Sequence, residues 1–143
     1  MNRKEIKEKA EEAIESHFNC AESVFSSVCR GVGFGAEMPV RVASCFGGGV
    51  GRTFSELCGA LSGGLMALGL VVGRDSPAAS CERAYDLAAE FRQRFIARHG
   101  ASICGEILDR FGDQKNWEGC KRLVSDTAGM LHEFLDADAH AGS

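Results

Sequence analysis

The residues in this 143-residue chain best suited to chemistry are seven thiols: Cys20, Cys29, Cys45, Cys58, Cys81, Cys104 and Cys120. A thiolate can ligate a metal, attack a disulfide or carry reversible oxidation. No two of them form a Cys-x-x-Cys pair, the device by which one loop supplies two ligands in many zinc and cluster sites. The first ten residues, MNRKEIKEKA, are charged and lack the apolar run of a secretory signal. The expected location is therefore cytoplasmic. Thiols stay reduced there, and the odd count argues further against a disulfide framework. Thiols scattered along a chain in a reducing compartment point to metal binding or redox chemistry. The plainer alternative is that several are small buried hydrophobes.

Other classes are excluded by composition and pattern. A net charge of −4 and a pI of about 5.6 leave no basic stripe for nucleic acid. Residues 57–73, LCGALSGGLMALGLVVG, carry no charge but fall short of the roughly 20 apolar residues of a bilayer span. A buried core helix is expected there, with no membrane partner. In the run Gly47-Gly48-Gly49-Val50-Gly51-Arg52-Thr53, a phosphate loop would need glycine where Phe46 stands and lysine where Arg52 stands. No G-x-G-x-x-G register fits a dinucleotide fingerprint, and no Cys-x-x-Cys-His attaches a c-type haem.

The elements that must position the cysteines read as all-α, in a single compact multi-helix bundle over residues 1–136 built around the glycine-rich apolar helix. Ile6, Ala10, Ala13, Ile14 and Phe18 recur at helical spacing over residues 3–17. Asn19 and Glu22 form a capping box for a helix that Gly31, Gly33 and Gly35 end. Pro39 opens a short helix over 40–46. Thr53 and Glu56 read as a second capping box, for the apolar helix closed by Gly73. Ser76-Pro77 starts a helix over 78–99 that Gly100 stops; Ser102 caps one to Phe111, and Asn116 a last one to about Leu135. Residues 137–143 read as a disordered tail. Tyr85, Phe91, Phe95, Trp117 and Phe134 are expected in the core.

On that map Cys20, Cys58, Cys104 and Cys120 all fall near helix N-termini. Unsatisfied N–H groups and the helix dipole favour negative charge there, which lowers a thiol's pKa. Cys29 comes at a helix end, Cys45 abuts the glycine run, and Cys81 lies early in its helix; no role is read for these three. Among the histidines, His17 is near enough to Cys20 to join a site, although a solvated or capping role is more ordinary at a helix junction. His99 suits a helix C-terminus, and for His132 and His140 no acidic or cysteine co-ligand is read from the spacing.

The same residues carry a resemblance. Cys20, then Phe46-Gly47-Gly48-Gly49-Val50-Gly51, then Cys58-Gly59-Ala60-Leu61-Ser62-Gly63-Gly64, then lone Cys104 and Cys120, resemble the redox-active C_GCAxxG_C_C family over residues 19–135. One departure is that Leu57, not glycine, precedes Cys58. Members of that family occur fused to electron-transfer modules, including split-Soret cytochromes, where this type of domain accompanies an iron–sulfur centre. The resemblance implies that Cys20, Cys58, Cys104 and Cys120 are the working cysteines.

Four thiolates from separate helices are the usual complement of a [2Fe–2S] or [4Fe–4S] cluster, and they suit tetrahedral zinc equally well. The gaps of 37, 45 and 15 residues mean that the tertiary fold must assemble such a site. The expected function is redox activity through a cysteine-ligated iron–sulfur cluster that passes electrons to a partner protein, with the cluster liable to loss in air. One alternative is metal-free thiol–disulfide chemistry at Cys20 and Cys58, one of them an exposed thiolate. Another is a helical interaction module with structural cysteines. Backbone N–H groups of Gly47, Gly48, Gly49 and Gly59 are candidates to face the cofactor. The small-residue face of Gly59, Ala60, Gly63, Gly64 and Ala67 calls for a close neighbour, either another helix of this chain or a second copy in a homodimer.

Overall fold

The computed structural model describes residues 1–35 and 38–141. Six α-helices and one 3₁₀ helix follow one another: α1 Arg3–Glu15, α2 Cys20–Gly31, the 3₁₀ helix Val40–Phe46, α3 Gly59–Val72, α4 Glu82–His99, α5 Cys104–Phe111 and α6 Glu118–Ala141. The all-α expectation holds. Pairing of the β type among the described residues is an isolated antiparallel bridge between Leu57 and Ile103.

The uncharged helix α3 occupies the centre, because it is apolar all round and must be covered on every side. Helices α2, α4 and α6 cover it, and Leu61, Leu68, Val24, Phe91, Phe95 and Leu131 fill the space between them. The close neighbour that its small residues call for is α2. A Cβ on Gly63 would stand 2.9 Å from the Ala21 Cα, so the two backbones approach only because that atom is missing. On the adjoining side Gly64 faces Leu131 of α6, where an added Cβ would lie 3.3 Å from the nearest methyl.

Helix α1 lies along α2 and α6, burying Ile6 and Ala10, with Lys121 to Glu15 (3.0 Å) and Arg3 to Glu133 (3.1 Å) at its edges. Phe91 of α4 meets Phe134 of α6 at 5.6 Å between ring centroids, and Arg94 lies over the Phe134 ring at 5.0 Å.

Several boundaries differ from the sequence reading, each for a local reason. Thr53 spends its hydroxyl on the Gly49 and Val50 carbonyls (2.9 Å each), so it caps no helix, and α3 starts later with Cys58 at its N-cap. Ser76 accepts from the Ala78 N–H (3.1 Å) in a turn, which delays α4 to Glu82. Ser102 gives its carbonyl to Cys58, and Ile103 is the N-cap of α5. The expected tail at 137–141 is helical: Ala137, Ala139 and Ala141 favour helix, and Asp138 pairs with Arg83. Residues 142–143 lie outside the described residues. Phe91, Phe95 and Phe134 are buried as expected, whereas Tyr85 (64% exposed) and Trp117 (55% exposed) face outward.

Candidate redox site

Each of the four cysteines sits in the first turn of a helix. Cys20 and Cys104 are the first residues of α2 and α5, Cys58 is the N-cap of α3, and Cys120 is the third residue of α6. The placement at helix starts therefore agrees with the sequence reading, although the caps of α3 and α5 are Cys58 and Ile103 rather than Thr53 and Ser102.

Cys20 is fixed by the capping box foreseen at Asn19. The Glu22 N–H donates to Asn19 Oδ1 and the Asn19 N–H to Glu22 Oε1, both at 2.9 Å. The same two side chains bind the 3₁₀ helix: Asn19 Nδ2 donates to the Ser44 carbonyl (3.0 Å), and Ser44 Oγ donates to Glu22 Oε2 (2.7 Å). The start of α2 and the approach to the glycine run thus move as one piece.

Cys58 and Cys104 are brought together by a short antiparallel contact. Across the Leu57–Ile103 bridge, the Cys58 N–H donates to the Ser102 carbonyl (2.8 Å) and the Cys104 N–H to the Glu56 carbonyl (2.9 Å). One residue on, the Gly105 N–H donates to the Phe54 carbonyl (2.7 Å). The two helix starts, 45 residues apart in sequence, are hydrogen-bonded neighbours.

Between them runs a left-handed turn. Gly48, Gly49, Val50, Gly51 and Arg52 all have φ between +59° and +68°. Holding a β-branched valine there costs on the order of 1–2 kcal/mol, strain that a fold retains only when its surroundings over-determine it. The turn presses buried Gly49 against Cys104, where a Cβ on the glycine would lie 2.5 Å from the cysteine's own. Gly59 lies against the Cys20 sulfur and the Phe46 carbonyl, again with no room for a Cβ. Of the four glycines named from the sequence, these two touch the cysteine side chains. Gly47 packs on the Asn19 amide, and Gly48 on the Arg52 backbone.

The electrostatics report how closely the thiols gather. A negative charge on Cys20 is felt at Cys58, Cys104 and Cys120; Cys104 is felt at Cys58, and Cys120 at Cys104. Burial first, and then these neighbours, push the Cys58 thiol up to about 12 and the Cys104 thiol up to about 11. The backbone amides of Ala60 and Leu61 pull Cys58 the other way without prevailing. Cys120 is also raised, chiefly by burial, against a hydrogen bond from Gln114 that lowers it. The thiolates expected of helix N-termini are thus absent from Cys58, Cys104 and Cys120 while no ligand is bound, because desolvation outweighs the dipole. Cys58, 7% exposed, is not an exposed nucleophile.

Of the remaining cysteines, Cys45 adjoins the glycine turn through its carbonyl, which accepts the Gly51 N–H (3.0 Å). Cys29 is a core residue whose thiol burial raises to about 11, Cys45 is exposed on the 3₁₀ helix, and Cys81 is the N-cap of α4. His17 is exposed at a positive φ of 75°. A cavity of about 370 Å³ bordered by α1, α4, α5 and α6 has no cysteine in its lining. In it Ser125 donates to Glu11 (2.8 Å), and Asp126 faces His99 at 3.5 Å.

Among the described residues no group of three or more His, Cys, Asp or Glu side chains is closed around a point that could hold a metal ion. The four cysteines are neighbours without forming a finished cage. In donor type and number they nevertheless fit a thiolate-ligated centre, and Gly49 and Gly59 leave the side chains of Cys104 and Cys20 unobstructed.

One participant escaped the sequence reading. Gln114, in the loop before α6, contacts Cys120 twice, and its only sequence signal is its place six residues upstream.

No curated protein and no solved structure matches the chain. The family described as "Putative redox-active protein (C_GCAxxG_C_C)" does match, over residues 18–134, a stretch containing all four converging cysteines and the glycine turn between them, and the chain belongs to that family.

Proposed function

We propose that this redox-family protein carries electrons on an iron–sulfur cluster held by Cys20, Cys58, Cys104 and Cys120, exchanging them with a partner protein in a reducing compartment. The observation that carries this reading is the gathering of four helix starts: Cys20, Cys58 and Cys104 are tied together through Gly59, Gly49 and the Leu57–Ile103 bridge, and Cys120 is coupled by charge to Cys20 and Cys104. Helix N-termini direct N–H groups and positive dipole ends at that place, which stabilises an anionic thiolate-ligated centre. Metal coordination deprotonates a thiol outright, so the raised pKa values of Cys58, Cys104 and Cys120 describe the metal-free protein alone.

A metal-free dithiol reading draws support from the nearness of Cys20 to Cys58, since such a couple needs only two neighbouring sulfurs. It lacks an accessible thiolate at Cys58.

Iron and acid-labile sulfide in Cys→Ser variants purified without oxygen test the proposal. Cys58→Ser and Cys120→Ser should lose most of both, and Cys45→Ser and Cys81→Ser should match the parent. Full iron and sulfide in Cys58→Ser or Cys120→Ser would refute the ligand assignment.

A further inference from the structure

The two polar ends of the Gln114 side chain are both spent on a single cysteine. Its Oε1 accepts the Cys120 backbone N–H at 2.9 Å, and its Nε2 donates to Cys120 Sγ at 3.5 Å, a normal length for a bond to the larger sulfur atom. The Cys120 N–H is one of the helix-start donors of α6 that no intrahelical carbonyl can satisfy, so Gln114 serves as a cap delivered from the loop. The approach depends on Gly119. A Cβ there would stand 2.8 Å from Gln114 Oε1 and 3.1 Å from the Phe111 ring. The loop itself is shaped for the reach, with Gly112 at φ 66°, Asn116 at 53° and Trp117 at 57°.

We infer that Gln114 is a positioning residue for the redox centre, fixing Cys120 through its carbonyl and setting the centre's potential through its N–H bond to the Cys120 sulfur. This rests on the proposed ligand set. Hydrogen bonds to ligating sulfur stabilise the more negative, reduced state and so raise the reduction potential. Glutamate at this position keeps the shape and the oxygen that accepts the Cys120 N–H, but exchanges the donor for a negative charge. Leucine removes both contacts.

The test uses full-length protein in two forms. In protein purified without oxygen, Gln114→Glu should retain the parent's iron and sulfide while its midpoint potential moves to a more negative value, and Gln114→Leu should shift in the same direction. Parent-like potentials in both variants, with parent-like iron, would overturn the inference. In metal-free reduced protein, hydrogen exchange at the Cys120 backbone amide should quicken roughly tenfold in Gln114→Leu, which loses the accepting oxygen, and stay near the parent rate in Gln114→Glu, which keeps it. Unchanged Cys120 amide exchange in Gln114→Leu would overturn the clamp itself. The exchange result separates the two claims, because it depends on Gln114 facing Cys120 and not on any cluster. Should parent protein hold no iron, the cluster reading fails, and quickened exchange in Gln114→Leu still upholds the clamp.

Discussion

At the level of single residues, the chemistry of this chain is decided by which thiols are near one another rather than by how many there are. Cys29 illustrates the difference: it is as buried as any core aliphatic, and no other cysteine perturbs it. Cys29→Ser places an unpaired hydroxyl in the core and should lower stability by about 1–3 kcal/mol in urea unfolding, with iron content unaffected. Cys58 and Cys104 carry a pH signature of their own. The pKa values of Cys58 and Cys104 lie above their ordinary 9.0, so between about pH 9 and 11 the unfolded chain loses protons that the metal-free native state retains. Fewer bound protons in the unfolded state make unfolding easier as pH rises. Metal-free protein should therefore be fully stable on this account below pH 9, and its urea midpoint should fall through that window. Serine at both positions should flatten the fall. A midpoint that rises or stays level there in the parent would contradict the burial of these two thiols. The convergence was legible in the sequence only as four cysteines near caps. The direction of their pKa shifts was not, because the dipole is a local property and desolvation comes from the tertiary fold.

Helices and turns divide more evenly between what sequence discloses and what it hides. The Asn19–Glu22 box, the stop at Gly100 and the apolar α3 could be read directly, since each is written in residues three or four apart. Thr53 and Ser76 could not: both carry capping side chains, and both spend them on local turns, Thr53 on the Gly49 and Val50 carbonyls and Ser76 on the Ala78 N–H. No spacing rule reveals a two-residue antiparallel contact across 45 residues. The glycines of α3 offer a paired test. Gly63→Ala drives a Cβ into the Ala21 backbone and should destabilise by about 1–3 kcal/mol, whereas Gly69→Ala meets nothing within 4 Å and should stabilise by up to about 1 kcal/mol. Thermal unfolding of the two variants checks both signs. Equal effects would mean that α2 and α3 are not in backbone contact at Gly63. Gly59→Ala, pressed on the Cys20 sulfur, should in addition reduce bound iron.

As a whole molecule, the fold is a helical bundle whose interior is ordinary and whose proposed redox chemistry lies where four helices begin. The core of Leu61, Phe91, Phe95 and Leu131 holds α3 in place, and α3 carries Cys58 into reach of the others. Among the described residues no helix is long and apolar enough to cross a membrane. Several large apolar side chains near the cysteines in sequence stay exposed, Phe18, Phe46, Phe54 and Trp117 among them. Their exposure leaves the redox end of the bundle less polar than a surface built only of loops. The central claim is that this end holds a cluster. An absorption spectrum of protein purified without oxygen from iron-replete cells, with iron and acid-labile sulfide measured on the same sample, tests it most directly. A broad visible band that dithionite bleaches, accompanied by stoichiometric iron and sulfide, is the expected result. A colourless, iron-free protein from that preparation would contradict the cluster and leave the neighbouring thiols of Cys20 and Cys58 as the redox couple.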